Sequence, residues 1–216
     1  ACGRVVLIRS RAACCLARCV PSLPYFLIST AQFSDGCAPT EPAEREGEEF
    51  AKGHYEQLNA ATGTIAVGDQ EWQVTGFGLR DHSWGPRTWQ APWYYRWLTA
   101  NFGGDFGFMG SRIARPDRDG MRGGFIGCHS FDISTGWTET GTYHRAIEAT
   151  LHHDEGSLKV KGKVLNLIPL RNRRDGRVTR ISEGLTEWTL EDGRVGYGLS
   201  EYLDQIIDDQ PVGLAE

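Results

Sequence analysis

The densest chemistry in the chain lies in one short run, Gly76-Phe77-Gly78-Leu79-Arg80-Asp81-His82-Ser83-Trp84-Gly85-Pro86-Arg87. A cation, a carboxyl and an imidazole stand consecutively before a Trp-Gly-Pro turn. Trp84, Trp89, Trp93, Tyr94, Tyr95 and Trp97 follow within 14 residues. A carboxyl surrounded by such rings is poorly solvated, which suits it to act as a general acid near neutral pH. The ring faces would hold a developing cation by cation–π attraction. Strand alternation puts Arg80 and His82 on one face and Asp81 on the other. A bend or bulge would be needed to turn all three toward one cavity. The competing reading is an Arg80–Asp81 ion pair that pins a loop while the tryptophans fill the core.

A second carboxyl is available near the C-terminus. Glu201 follows Gly196-Tyr197-Gly198, whose glycines allow close backbone approach, and is a candidate for the same cavity. The alternative is a cross-strand ladder on an outer face, built from Glu183, Glu187 and Glu201 with Arg177 and Arg180. The adjacent His152 and His153 point to opposite faces of a strand, so no metal site is expected. His54, His129 and His144 each read as ordinary polar contacts. Ser83 lacks a Gly-x-Ser-x-Gly elbow, which argues against a nucleophilic serine. No cofactor is expected.

The elements that must position these groups read as strands. Thr64–Val67 and Trp72–Phe77 form a hairpin about Gly68-Asp69. Further candidates are Trp93–Phe102, Phe106–Ala114, Gly124–His129, Arg145–His152, Leu158–Leu170, Arg177–Leu190 and Val195–Leu203. Turns are expected at Asp154-Glu155-Gly156 and Glu191-Asp192-Gly193, where Gly193 supplies a positive φ. A short helix over Glu201–Asp208 is the one alternative to strand. About nine short strands without a helical period predict an all-β fold, an antiparallel β-barrel or strongly curved sandwich.

Composition agrees. The 27 glycines and seven tryptophans in 216 residues suit closely approaching strands. A net charge of −5 argues against nucleic acid as a partner. No apolar run of about 18 residues occurs, so no transmembrane segment is expected. Five of the six cysteines and four arginines fall in the first 37 residues, and Pro21 and Pro24 interrupt any secretory signal. Residues 1–46 are therefore expected to be a weakly specified segment and linker, 47–208 a β domain and 209–216 a tail. A cytoplasmic location is expected.

The stretch from Gly76 to Gly85 resembles the Asp-His-x-Trp-Gly signature of the carotenoid 1,2-hydratase (hydroxyneurosporene synthase) and AttH-like group. Gly193-Arg194-Val195-Gly196-Tyr197-Gly198-Leu199-Ser200-Glu201-Tyr202-Leu203 is similar to the C-terminal pattern of an uncharacterised bacterial subgroup. The resemblance spans roughly residues 45–205. It implies two lipocalin-like halves, of which this chain corresponds to the C-terminal one, so a second half is an implied partner. It also implies a hydro-lyase acting on an apolar, isoprenoid-like small molecule. Asp81 would protonate an isolated alkene, and His82 would orient the acid or the water. Trp84 would steady the carbocation, with Arg80, Trp89, Trp93, Tyr95, Trp97 and Glu201 in the substrate wall. The chain departs from the hydratases at Arg80, where they carry an uncharged histidine. An adjacent arginine opposes use of Asp81 as an acid, and Arg80 would instead recognise a carboxylate or fix the loop. A non-catalytic binding domain is the alternative.

Overall fold

A computed structural model describes residues 25–36, 53–85, 88–115, 118–126 and 130–213. All six cysteines, the acidic stretch 38–49 and His129 lie outside the described residues. Every described element is a strand, and none of the described residues forms a helix that is long and apolar enough to cross a membrane.

Two antiparallel sheets are present. β1 (Tyr25–Gly36), β2 (Gly53–Val67) and β3 (Gln70–Trp84) form the smaller one in that order. The larger contains β4 (Tyr94–Asn101), β5 (Gly107–Arg115), β6 (Arg118–Ile126), β7 (Ser130–Trp137), β8 (His144–His153), β9 (Gly156–Arg174), β10 (Arg177–Leu190), β11 (Val195–Ile207) and β12 (Gln210–Pro211). Its strand order is β6-β5-β4-β11-β10-β9-β8-β7, with β12 beside β11.

The three expected hairpins form where their turn residues lie. β2 and β3 meet at Val67↔Gln70, β8 and β9 at His153↔Gly156, and β10 and β11 pair as far as Thr189↔Val195. Gly193 has φ +85°, a left-handed conformation that costs glycine no Cβ clash. The Asp192 carboxylate accepts the Arg194 N–H at 2.9 Å and closes the turn.

Two expectations need correction. β1 pairs with β2 from Tyr25↔Ala66 to Gly36↔Glu56, so a paired strand lies within residues 1–46, expected to be a weakly specified segment and linker. Of the strand expected at 124–129, residues 124–126 end β6 and residues 127–129 lie outside the described residues. The helix considered for 201–208 is the end of β11. There Tyr202 packs on one face with Leu98 and Trp188, while Leu203 packs on the other with Tyr95 and Ile181. A strand buried on both faces loses the period of two, and its apolar run imitates a helix.

The larger sheet rolls until its ends meet. A Cβ added to Gly110 on β5 would lie 2.6 Å from the Phe131 ring on β7, although these strands sit near opposite edges of the sheet. Leu98, Ala100, Phe108, Phe131, Ile147, Leu151, Val160 and Trp188 fill the resulting interior. Each fully buried large side chain contributes about 1.5–3 kcal/mol. Gly162 makes room for Trp188, whose ring stands 2.7 Å from where a Cβ would be. The opposite, outer face of β4 and β11 carries Tyr95, Trp97, Glu201 and Leu203, and the smaller sheet packs against it.

Candidate functional site

The junction between the two sheets is built from a simple register. Counting outward from the turn at Gly68-Asp69 sets Leu58 opposite Leu79 and Glu56 opposite Asp81, and directly opposed residues share a face. Leu58 is fully buried against Leu79, Met109 and Trp97, which fixes that face against the larger sheet. Glu56, two residues before Leu58, points the same way and is 2% exposed. The Trp97 indole N–H donates to Glu56 Oε1 at 2.9 Å.

Trp97 in turn stands opposite Glu201 on β11, and the hydroxyl of Tyr95 donates to Glu201 Oε1. Tyr95 belongs to a buried cluster with Ile181 and Leu203, against which Trp89, Trp97 and Leu170 pack. The junction therefore holds two carboxyl groups, each oriented by an aromatic donor, with Asp81 on the facing strand. Such an arrangement offers apolar ring surface and acid–base groups in one place, the two requirements for proton transfer to an apolar substrate.

The structure separates the residues of the motif. β3 pairs with β2 from Val67↔Gln70 to Gly53↔Trp84 without a register shift, so no bulge redirects the chain. Asp81 faces the junction side with Glu56 and is exposed to solvent, rather than enclosed by the rings that follow it in sequence. Arg80, His82 and Trp84 alternate to the other face, where the His82 and Trp84 rings lie 5.6 Å apart and Trp84 is 48% exposed. Trp93 is half-buried, and its backbone ties the segment before β4 to Ala114 and Gln205. Tyr95, Trp97, Glu201 and Trp89 are thus brought together. Glu56 was missed, although the hairpin register alone places it opposite Asp81.

The inner face of the same strands carries a second polar group. Arg96 donates to both carboxylate oxygens of Asp204 at 3.0 and 3.2 Å and to the Gly213 carbonyl at 2.9 Å, and Asp204 also accepts the Gly213 N–H. The Arg96 guanidinium lies 4.3 Å from the centre of the Tyr202 ring, and the His144 imidazole stacks on that ring at 3.9 Å. His144 Nε2 lies 3.0 Å from the Ser200 carbonyl and 2.9 Å from its hydroxyl, which in turn contacts the Thr186 hydroxyl at 2.6 Å. Burial pushes the His144 pKa down from 6.5 to about 4; the Ser200 carbonyl opposes that shift and the charge of Arg96 adds to it. Reading His144 as an ordinary polar contact missed this setting. Nor do Arg180 and the glutamates form the outer ladder considered above. Arg180 lies on the inner face opposite Asp204, while Glu183 stands opposite Glu201 on the outer one.

A rolled antiparallel sheet with a small sheet against its outer face defines a lipocalin-like β domain. The chain belongs to the family described as Domain of unknown function (DUF7064), which it matches over residues 29–206. No curated protein matches it. Among solved structures it is similar to CghA with Sch210972, at a TM-score of 0.57 and 13% identity over 86% of this chain and 62% of that one. A second structure of CghA gives a TM-score of 0.54 and 13% identity over 88% and 63%. Kievitone hydratase from Nectria haematococca gives 0.41 and 13% over 71% and 54%. The chain spans less than two thirds of CghA.

Proposed function

We propose that the domain binds an apolar, isoprenoid-like small molecule at the junction of its two sheets and hydrates or isomerises an alkene there. The observation that carries this reading is the pair of aromatic-held carboxyls, Glu56 on Trp97 and Glu201 on Tyr95, beside Asp81. The resemblance of the Gly76–Gly85 stretch to the carotenoid 1,2-hydratase group, Arg80 excepted, and the fold shared with CghA, seen with Sch210972, support it. In this mechanism the Asp81 carboxyl gives its proton to the terminal carbon of the alkene. The tertiary cation that results is steadied by the faces of Tyr95, Trp97 and Trp89. Water then adds to the cation and loses a proton to a carboxylate of the junction, so that one water is gained overall.

The outer face continues from this point into Leu185 and Leu199, directly opposed and 44% and 37% exposed. A second lipocalin-like half would cover them and exclude water from Asp81. A non-catalytic binding domain is the second reading, and the exposure of Asp81 favours it.

Asp81→Asn separates the two. With myrcene as the probe, the proposal expects the unsubstituted chain to yield a product heavier by one water, and the variant to bind myrcene unchanged without turnover. Binding by both proteins with no product from either would leave only the carrier reading.

A further inference from the structure

Three side chains on the outer face of β7, β8 and β9 form a chain of hydrogen bonds that the junction does not use. The Ser157 hydroxyl lies 2.9 Å from Nδ1 of His152, and Nε2 of the same ring lies 3.0 Å from the Asp132 carboxylate. Strand register explains why they meet. The tight turn at Asp154-Glu155 sets His153 opposite Gly156 and His152 opposite Ser157. On its other side His152 stands opposite Ser130, which makes Asp132 its diagonal neighbour. Phe131, Leu151 and Leu158 turn inward to the core, so alternation turns Asp132, His152 and Ser157 outward. The Asp132 and His152 side chains are 58% and 40% exposed, and Ser157 is exposed as well, so a solute reaches all three from the surface.

The order of the bonds fixes the protons. A carboxylate only accepts, so the contact with Asp132 puts the proton of the neutral ring on Nε2. Nδ1 is then an acceptor, and the proton in the other bond belongs to the Ser157 hydroxyl. A hydroxyl that donates to an imidazole, whose far nitrogen is held by a carboxylate, is an activated nucleophile wherever the geometry recurs. The two ring nitrogens exchange places here relative to the usual serine hydrolase arrangement, which leaves the proton path intact. Lys159, exposed and two residues along β9 on the same face, adds a positive charge on which a developing oxyanion can draw.

We propose that Ser157 is the nucleophile of a surface acyl-transfer site that takes small aryl esters. Its Oγ attacks the ester carbonyl while its proton passes to Nδ1 of His152. The bond between the acyl carbon and the aryloxide then breaks, and the aryloxide leaves with that proton. Water attacks the acyl-serine and gives a proton to the same nitrogen, which returns it to Oγ as the carboxylic acid is released. Asp132 acts through the ring as a positioning residue. On an open sheet face the ester is chosen by its leaving group rather than by its shape. The site shares no residue with the junction, and its failure would leave the alkene reading untouched.

Release of p-nitrophenolate from p-nitrophenyl acetate by the full chain tests it. Ser157→Ala and His152→Gln should each slow release by about a hundredfold. Asp132→Asn, whose amide can hold the other tautomer, should slow it by about tenfold. Release should rise with pH as the His152 ring gives up its proton and then level off, and His152→Gln should abolish that rise. The charged groups that share the face of His152 are Asp132, Glu148, Lys159 and Lys161, with Asp154 and Glu155 in the adjoining turn. All three substituted side chains lie at the surface, so urea unfolding should show each variant folded. A fluorophosphonate, losing fluoride to the attacking Oγ, should label Ser157. No label on Ser157, or release that Ser157→Ala or Asp132→Asn leaves unchanged, would each overturn the proposal. So would a pH profile that survives His152→Gln.

Discussion

Tyr95, Arg96 and Trp97 are consecutive on β4, yet they serve two different regions. Tyr95 and Trp97 face the junction, where they hold Glu201 and Glu56 beside an exposed Asp81. Arg96 faces the interior, fully buried, with Asp204, Tyr202 and His144 around it. At the junction Asp81 lies in water and can change partners at low cost, whereas Glu56 is buried and held by Trp97. In the interior each polar atom must be satisfied or carry the full penalty of lost hydration. The difference is a division of labour: the interior network holds the rolled sheet together, while the rim of the junction at Asp81 stays adaptable, as the proposed site requires.

Substitutions should expose that division, most strongly inside. Asp204→Ala removes the bidentate partner of Arg96 and the acceptor of the Gly213 N–H, leaving a buried charge uncompensated. A loss of about 3–5 kcal/mol is expected in urea unfolding. A loss under 1 kcal/mol would mean that the interior network is no more structural than the junction.

His144 sets the next effect, through pH. Its folded pKa, about 4, lies below the unfolded 6.5, so the unfolded chain binds the proton first as pH falls. The contribution of the neutral ring is complete above pH 6.5 and is lost progressively toward pH 4, by about 3 kcal/mol in all. Unfolding free energies measured across that window should show this slope, and His144→Phe should flatten it. An unchanged slope in the variant would place the titrating group elsewhere. The smallest effect belongs to Asp81→Asn, which should leave stability within about 0.5 kcal/mol because the side chain is exposed.

Much of the fold was legible because its hairpins are local. Gly68-Asp69 and Asp192-Gly193 announce their turns, and the first of these also sets the register that puts Glu56 opposite Asp81. β1 was not legible: its partner lies across a polar stretch, and nothing in Tyr25–Gly36 names β2 as its neighbour. The end of β11 was ambiguous because Tyr202 and Leu203 are both buried, on opposite faces.

The site divides the same way. Tyr95 and Trp97 were candidates because aromatic residues crowd near the motif, and Glu201 because glycines precede it; the strand register sets all three on one face. The Arg80-Asp81-His82 run suggested a convergence that straight strand geometry denies. Arg96, His144, Arg180 and Asp204 were hidden, since a single arginine among aromatics reads as a surface residue until a carboxylate 108 positions away is known to meet it.

Amide hydrogen exchange with and without myrcene tests the central claim most directly. Ligand at the junction should slow exchange in β3 around Leu79–Ser83 and in the facing part of β4, while β7 and β8 remain unchanged. Protection confined to β7 and β8, or none under saturating ligand, would contradict the placement of the site.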